Sequence, residues 1–142
     1  MFSLRLSACI SLVSAFFTGP VFSAASIDAE AQTGSPVDSV YEPGVTISAT
    51  VDFILDNNGV NEREMYYGVR ILDSNNAVKA GTITIINVPA STELYPTVIT
   101  AYQVPQTGYD DTAYVYNAEC GRKNGNIQVE EDYSGGVWYF NY

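Results

Sequence analysis

The chain has 142 residues, 46% hydrophobic and 15% charged, and its 11 Tyr, 6 Phe and 1 Trp give it enough apolar bulk for one packed domain, which excludes a disordered tail. Its formal charge of −10, from 6 Lys+Arg against 16 Asp+Glu, would repel phosphate backbones and anionic lipid, so nucleic-acid binding is excluded. The absence of His excludes Ser-His-Asp triads, Cys-His dyads and His-ligated zinc.

Residues 1–7 are short and carry one cation, Arg5. Residues 8–22 are uncharged and apolar apart from a break at Gly19-Pro20, and small residues follow at Ser23, Ala24 and Ala25. That order reads as a secretory signal peptide over 1–25, too short to span a membrane. Cleavage before Ala24 and before Ser26 both satisfy the small-x-small rule, the second being preferred, and about 117 residues then remain to fold. No later stretch offers the roughly 18 uninterrupted apolar residues of a spanning helix, so no membrane span is expected.

Residues 26–44 are rich in Ala, Ser, Asp, Gly and Pro and read as an extended N-terminal arm. Its one pattern is Ile27, Ala29 and Ala31 alternating with Asp28, Glu30 and Gln32. The body, 45–142, opens with Val45, Ile47, Ala49, Val51 and Phe53 on one face and Thr46, Ser48, Thr50 and Asp52 on the other, a half-buried strand. Asp56-Asn57-Asn58-Gly59 is a turn cluster. The runs 64–72 and 77–88, joined by Asp73-Ser74-Asn75-Asn76, predict a hairpin. Two further β-rich runs, 94–104 and 113–120, are followed by 127–130 and by a terminal run, 137–142, after Ser134-Gly135-Gly136.

About seven short strands, no helix and no internal repeat predict an all-β fold, an immunoglobulin-like antiparallel β-sandwich. The inter-sheet cysteine pair of antibody domains is missing. Cys9 leaves with the leader, and Cys120 then has no partner within the chain. It is either an intermolecular bridge or reactive thiol, or a buried small hydrophobe in its strand, the commoner fate of free Cys.

The acidic clusters are Asp56 with Glu62 and Glu64, Asp110-Asp111, and Glu130-Glu131-Asp132. A hard cation such as Ca²⁺ needs convergent oxygens, yet in Asp56-Asn57-Asn58-Gly59 the glycine comes too early for an EF-hand, and a solvated acidic surface is the simpler reading. A glycosidase would need two carboxylates flanking one bond, whereas neighbours such as Glu130 and Glu131 on a strand point to opposite faces. No metal, cofactor or catalytic residue is therefore assigned, and an enzyme is not expected. Tyr66, Tyr67, Tyr114, Tyr116, Trp138 and Tyr139 could stack on sugar rings, although alternation commits about half of such a set to the core. The terminal Val137, Trp138, Tyr139, Phe140 and Tyr142 are apolar on both faces, as in a central strand or one covered by another polypeptide.

Gly68-Val69-Arg70-Ile71-Leu72-Asp73 followed by a polar turn and Ala77-Val78, the run from Thr97 to Tyr102 before a Gly-containing loop, and Tyr133-Ser134-Gly135-Gly136-Val137-Trp138-Tyr139 near the end together resemble pilin subunits of bacterial chaperone-usher fimbriae. The resemblance implies a sandwich lacking its last strand, filled in the periplasm by a chaperone and then by the arm of a neighbouring subunit, with the usher as a further partner. Ile27, Ala29 and Ala31 would then be the donor side chains. Val137, Trp138, Tyr139, Phe140 and Tyr142 would line or flank the acceptor groove and the chaperone contact. The implied function is a fimbrial structural subunit contributing to surface adhesion, moving from periplasm to cell surface. The alternative is a self-contained secreted β-sandwich binding module, lectin-like or directed at a host protein.

Overall fold

The computed structural model describes residues 23–32, 40–41, 44–106 and 113–140; residues 1–22 of the expected leader, 33–39 of the expected arm, Asp110-Asp111 and Tyr142 lie outside them. The described residues form nine strands: β1 (Ser23–Gln32), β2 (Val40–Tyr41), β3 (Thr46–Asn57), β4 (Arg63–Leu72), β5 (Val78–Val88), β6 (Thr92–Leu94), β7 (Thr97–Gln103), β8 (Ala113–Asn124) and β9 (Ile127–Phe140). No helix occurs among them.

The period-two pattern of β3 fixes its role. Ile47, Ala49, Val51, Phe53 and Leu55 are buried, and the residues between them are at most partly covered. β3 is the axis of one sheet, with β1 antiparallel on one side and β7 and β6 on the other. The second sheet runs β2-β9-β8-β4-β5, antiparallel except where the two residues of β2 run parallel to Tyr139 and Phe140. The two sheets pack as an immunoglobulin-like sandwich. Rings join them across the core, Phe53 against Tyr67 at 5.5 Å and Tyr102 against Tyr114 at 5.6 Å between centroids.

The expected hairpin is β4 and β5, in register from Arg63 opposite Val88 to Leu72 opposite Val78, with one irregularity at Ile71/Leu72. Its turn is organised by buried Asp73, whose Oδ1 accepts the N–H groups of Asn75 and Ala77 at 2.9 Å. The bond from Ala77, with help from that of Asn75 and from Lys79 at 3.3 Å, holds the carboxyl below its ordinary range despite burial.

Two boundaries differ from the sequence reading. The run 127–130 and the described part of the run 137–142, up to Phe140, are parts of one strand, β9, which continues through Ser134-Gly135-Gly136. Gly135 serves close approach rather than a turn, since a Cβ there would lie 2.8 Å from the Tyr116 carbonyl oxygen. The run 94–104 instead divides at Tyr95-Pro96. Proline has no N–H for the ladder, but its carbonyl accepts the Phe53 N–H at 2.9 Å, and β7 starts at the next residue.

Candidate functional site

Strand β1, from Ser23 opposite Asn57 to Gln32 opposite Ala49, takes residues 26–32 of the segment read as an arm into this chain's own sandwich. Ala24 and Ala25, assigned to the leader by the preferred cleavage register, belong to that strand, and Ala25 is buried in the core. The single-face alternation expected of Ile27, Ala29 and Ala31 is corrected by a bulge between Ile27 and Ala29. Ile27 lies opposite core-facing Phe53 and packs on the core, but Ala29 and Ala31 pair with outward Asp52 and Thr50 and are exposed. Past the bulge the inward positions belong to Glu30 and Gln32. Both reach the Tyr116 hydroxyl, which donates to Glu30 Oε1 at 2.6 Å and accepts from Gln32 Nε2 at 3.4 Å. Desolvation by burial, reinforced by the Glu30 carboxylate, raises the Tyr116 pKa.

A second bulge answers the first. Cys120 pairs with Asp132 and Gly121 with Glu130, which leaves Glu131 as the extra residue of β9. The strict alternation expected for this acidic run fails there, and two successive carboxylates turn toward β1. Glu131 Oε1 accepts the Ala25 N–H at 2.7 Å, and Asp132 Oδ2 accepts the Ile27 N–H at 2.8 Å. Arg122 Nε holds the other Glu131 oxygen at 2.7 Å.

Strand β9 has two working faces. Trp138 and Phe140 are buried in the chain's own core, Trp138 against Tyr116 and Phe140 edge-on to Tyr114, while Val137 is half-buried and Tyr139 exposed on the outer face. Of the aromatics suited to sugar stacking, Tyr66, Tyr114, Tyr116 and Trp138 are buried, and Tyr67 packs inward on Phe53. That leaves Tyr139. Tyr66 lies over Gly121, where a Cβ would come within 2.9 Å of its ring, and desolvation together with Glu119 pushes its hydroxyl up to about 12.

The outer face of β8 and β9 holds a groove of about 490 Å³. Val115 and Val137 are cross-strand partners in it, as are Asn117 and Gly135. Tyr133, 54% exposed, stands over Gly135 and donates its hydroxyl to Asn117 Oδ1 at 2.9 Å. A Cβ on Gly135 would lie 3.5 Å from that Oδ1 and 3.7 Å from the Tyr133 hydroxyl, so the glycine supplies the room in which the pair meets. Asn76, at φ 64° in the β4–β5 turn, closes one end. Apart from Val137, these residues were not singled out in the sequence, because Ser134-Gly135-Gly136 reads as a turn. Read as one strand, Tyr133, Gly135, Val137 and Tyr139 fall on a single outward row.

Cys120 is free and fully buried, and desolvation, with Asp132 and the other nearby carboxylates adding to it, pushes its thiol up to about 12. Among the described residues no group of three or more acidic or cysteine side chains is placed to hold a metal ion. Asp56 and Glu93, cross-strand partners on β3 and β6, share a smaller polar recess of about 250 Å³ with Asn58 and Ser91.

No protein-family model matches the chain, and no curated protein does. Among solved structures it is similar to a β-glucuronidase from glycoside hydrolase family 2, with 17% identity and a TM-score of 0.46 over 82% of this chain and 12% of that one. It is similar to a glycosyl hydrolase family 2 member from Bacteroides cellulosilyticus, with 13% identity and a TM-score of 0.46 over 80% and 15%. It is also similar to a Bordetella pertussis protein described as ApaA, with 11% identity and a TM-score of 0.44 over 82% and 94%. The chain thus spans only 12% and 15% of the length of the two hydrolases, and at these identities the likeness is one of fold.

Proposed function

We propose that this protein is a self-contained exported β-sandwich whose work is binding rather than catalysis. The observation that carries the reading is the position of β1. The described residues 26–32 of the expected donor arm pair along β3, and the Ile27 amide is held by Asp132 of the same chain, as the preceding Ala25 amide is by Glu131. Trp138 and Phe140, which an acceptor groove would offer to another polypeptide, pack on Tyr116 and Tyr114. A pilin needs a partner's strand to finish its core, and these contacts support the reading of a core finished from within.

The test is the size distribution and thermal unfolding of residues 24–142, with and without a second copy of 24–44 appended after Tyr142 through a flexible linker. A binding module gives a monomer with a cooperative melt that the appended strand does not raise. A fimbrial subunit gives aggregates or polymers, and the appended strand converts them to a monomer with a higher Tm.

A further inference from the structure

The chain carries 16 carboxylates, yet the groove on the outer face of β8 and β9 is lined by uncharged side chains alone. The nearest basic group on that face, Arg70, opposite Asn117 on β4, is held by Glu119 at 2.5 Å and is not offered to an anion. Resting on the reading of the chain as a binding module, we infer that this groove takes a neutral saccharide, with one pyranose ring against Tyr133.

The chemistry of the lining selects that class. A pyranose presents a patch of C–H groups on one face and hydroxyls around its rim, so its site needs an exposed aromatic surface beside fixed amide donors and acceptors. Tyr133 supplies the surface. Its bond to Asn117 Oδ1 holds the ring before any ligand arrives, which lowers the ordering cost of binding. Because the Asn117 carbonyl is engaged by Tyr133, its amide nitrogen, which has no protein partner among the described residues, is the group left to donate to a hydroxyl. Asn76 brings a second side-chain amide from the turn at the end of the groove. Val115 and Val137 give the floor an apolar strip, and Gly135 keeps the space beside the Tyr133 hydroxyl open. The volume of about 490 Å³ lies within the range of small-molecule sites. An anionic glycan or a nucleotide would enter without a free cation and against the negative charge of the chain. An extended peptide adding a strand needs an open sheet edge, whereas this site is built from side chains on a sheet face.

Residues 24–142 are screened on immobilised neutral oligosaccharides of glucose, galactose, mannose and N-acetylglucosamine, with polygalacturonate as the anionic comparison, and each binder is measured by calorimetry. The expected result is binding of at least one neutral oligosaccharide and none of polygalacturonate. Tyr133→Ala should weaken it about tenfold or more, the loss of a stacked ring and its hydrogen-bonded neighbour. Tyr133→Phe keeps the ring and should weaken it only about twofold, and Asn76→Gly, which leaves the turn's positive φ unstrained, should weaken it about threefold at unchanged Tm. Tyr95→Ala, at an exposed tyrosine in the link between β6 and β7 of the other sheet, should leave affinity unchanged. The inference is overturned if a monomeric, cooperatively folded chain binds none of the neutral sugars, prefers polygalacturonate, or binds equally well with Tyr133→Ala. Those outcomes leave the binding-module reading standing, whereas a chain that polymerises by strand exchange removes both.

Discussion

The Ile27 N–H donates to Asp132 Oδ2 at 2.8 Å, and two residues earlier the Ala25 N–H donates to Glu131 Oε1 at 2.7 Å. β1 is the edge of its sheet, and these amides point away from β3. An edge that presents free N–H groups is a template for another strand. Here side-chain carboxylates occupy them, and the bulge at Glu131 is what aims two adjacent acids the same way.

Removing either carboxylate should therefore loosen β1. Asp132→Ala and Glu131→Ala are each expected to lower stability by about 1.5–3 kcal/mol, the range for a hydrogen bond to a charged group. Asp132→Asn keeps an oxygen acceptor and should cost less. Urea unfolding at neutral pH measures all three, and alanine variants as stable as the parent would mean that the caps contribute nothing.

Starting the folded chain at Ala24 or at Ser26 should matter for the same reason. A chain beginning at Ala24 keeps the buried Ala25 methyl and its amide bond to Glu131, and one beginning at Ser26 loses both. The longer chain is expected to be more stable by about 2–4 kcal/mol, combining one buried methyl with one charge-assisted hydrogen bond. Parallel denaturant titrations of the two chains decide it, and equal midpoints would show that β1 is anchored further along.

Asn57 ends β3 fully buried and holds the loops at one end of the sandwich together. Its Nδ2 donates to the carbonyls of Asn61 and Val88, each at 2.9 Å, and its Oδ1 accepts the Gly59 N–H at 2.9 Å. Asn57→Leu fills the volume but leaves these backbone groups unpaired, so a loss of about 2–4 kcal/mol is expected. Asn57→Asp should also destabilise, because it removes both donors and adds a buried charge. Thermal melts of the two variants report the cost, and a drop in Tm of less than a few degrees would show that water replaces the side chain without penalty.

How much of this was legible follows from what alternation can encode. β3 and the β4–β5 hairpin could be read because burial on one face writes itself into every second residue. The fate of Ala29 and Ala31 could not, because one extra residue at Asp28 inverts the face of everything after it without leaving a compositional mark. Glu131 hides the matching bulge in β9, and Gly135-Gly136 hides the continuity of that strand, since a glycine needed for close approach looks like a glycine needed for a turn. The sandwich class survived these errors. The groove did not, because Tyr133 and Asn117 meet only once β8 and β9 are paired in register.

Three buried protons should make the fold less stable at alkaline pH. The Cys120 thiol is raised from its ordinary 9.0 to about 12, the Tyr66 hydroxyl from 10.0 to about 12, and Tyr116 is raised as well, burial being the leading cause in each. In the unfolded chain these groups lose their protons at their ordinary values, so between about pH 9 and 12 the unfolded state binds fewer protons than the native one. Stability is then complete below pH 9 and falls progressively as pH rises toward 12. Urea midpoints taken from pH 8 to 11.5 should decline across that interval, and Cys120→Ala should remove the part of the decline that begins nearest pH 9. Below that range the buried thiol should resist aromatic disulfide reagents in the native protein and react at once in strong denaturant. Rapid labelling of the folded chain, or a midpoint constant to pH 11.5, would contradict the burial of Cys120 and the tyrosines on which the expectation stands.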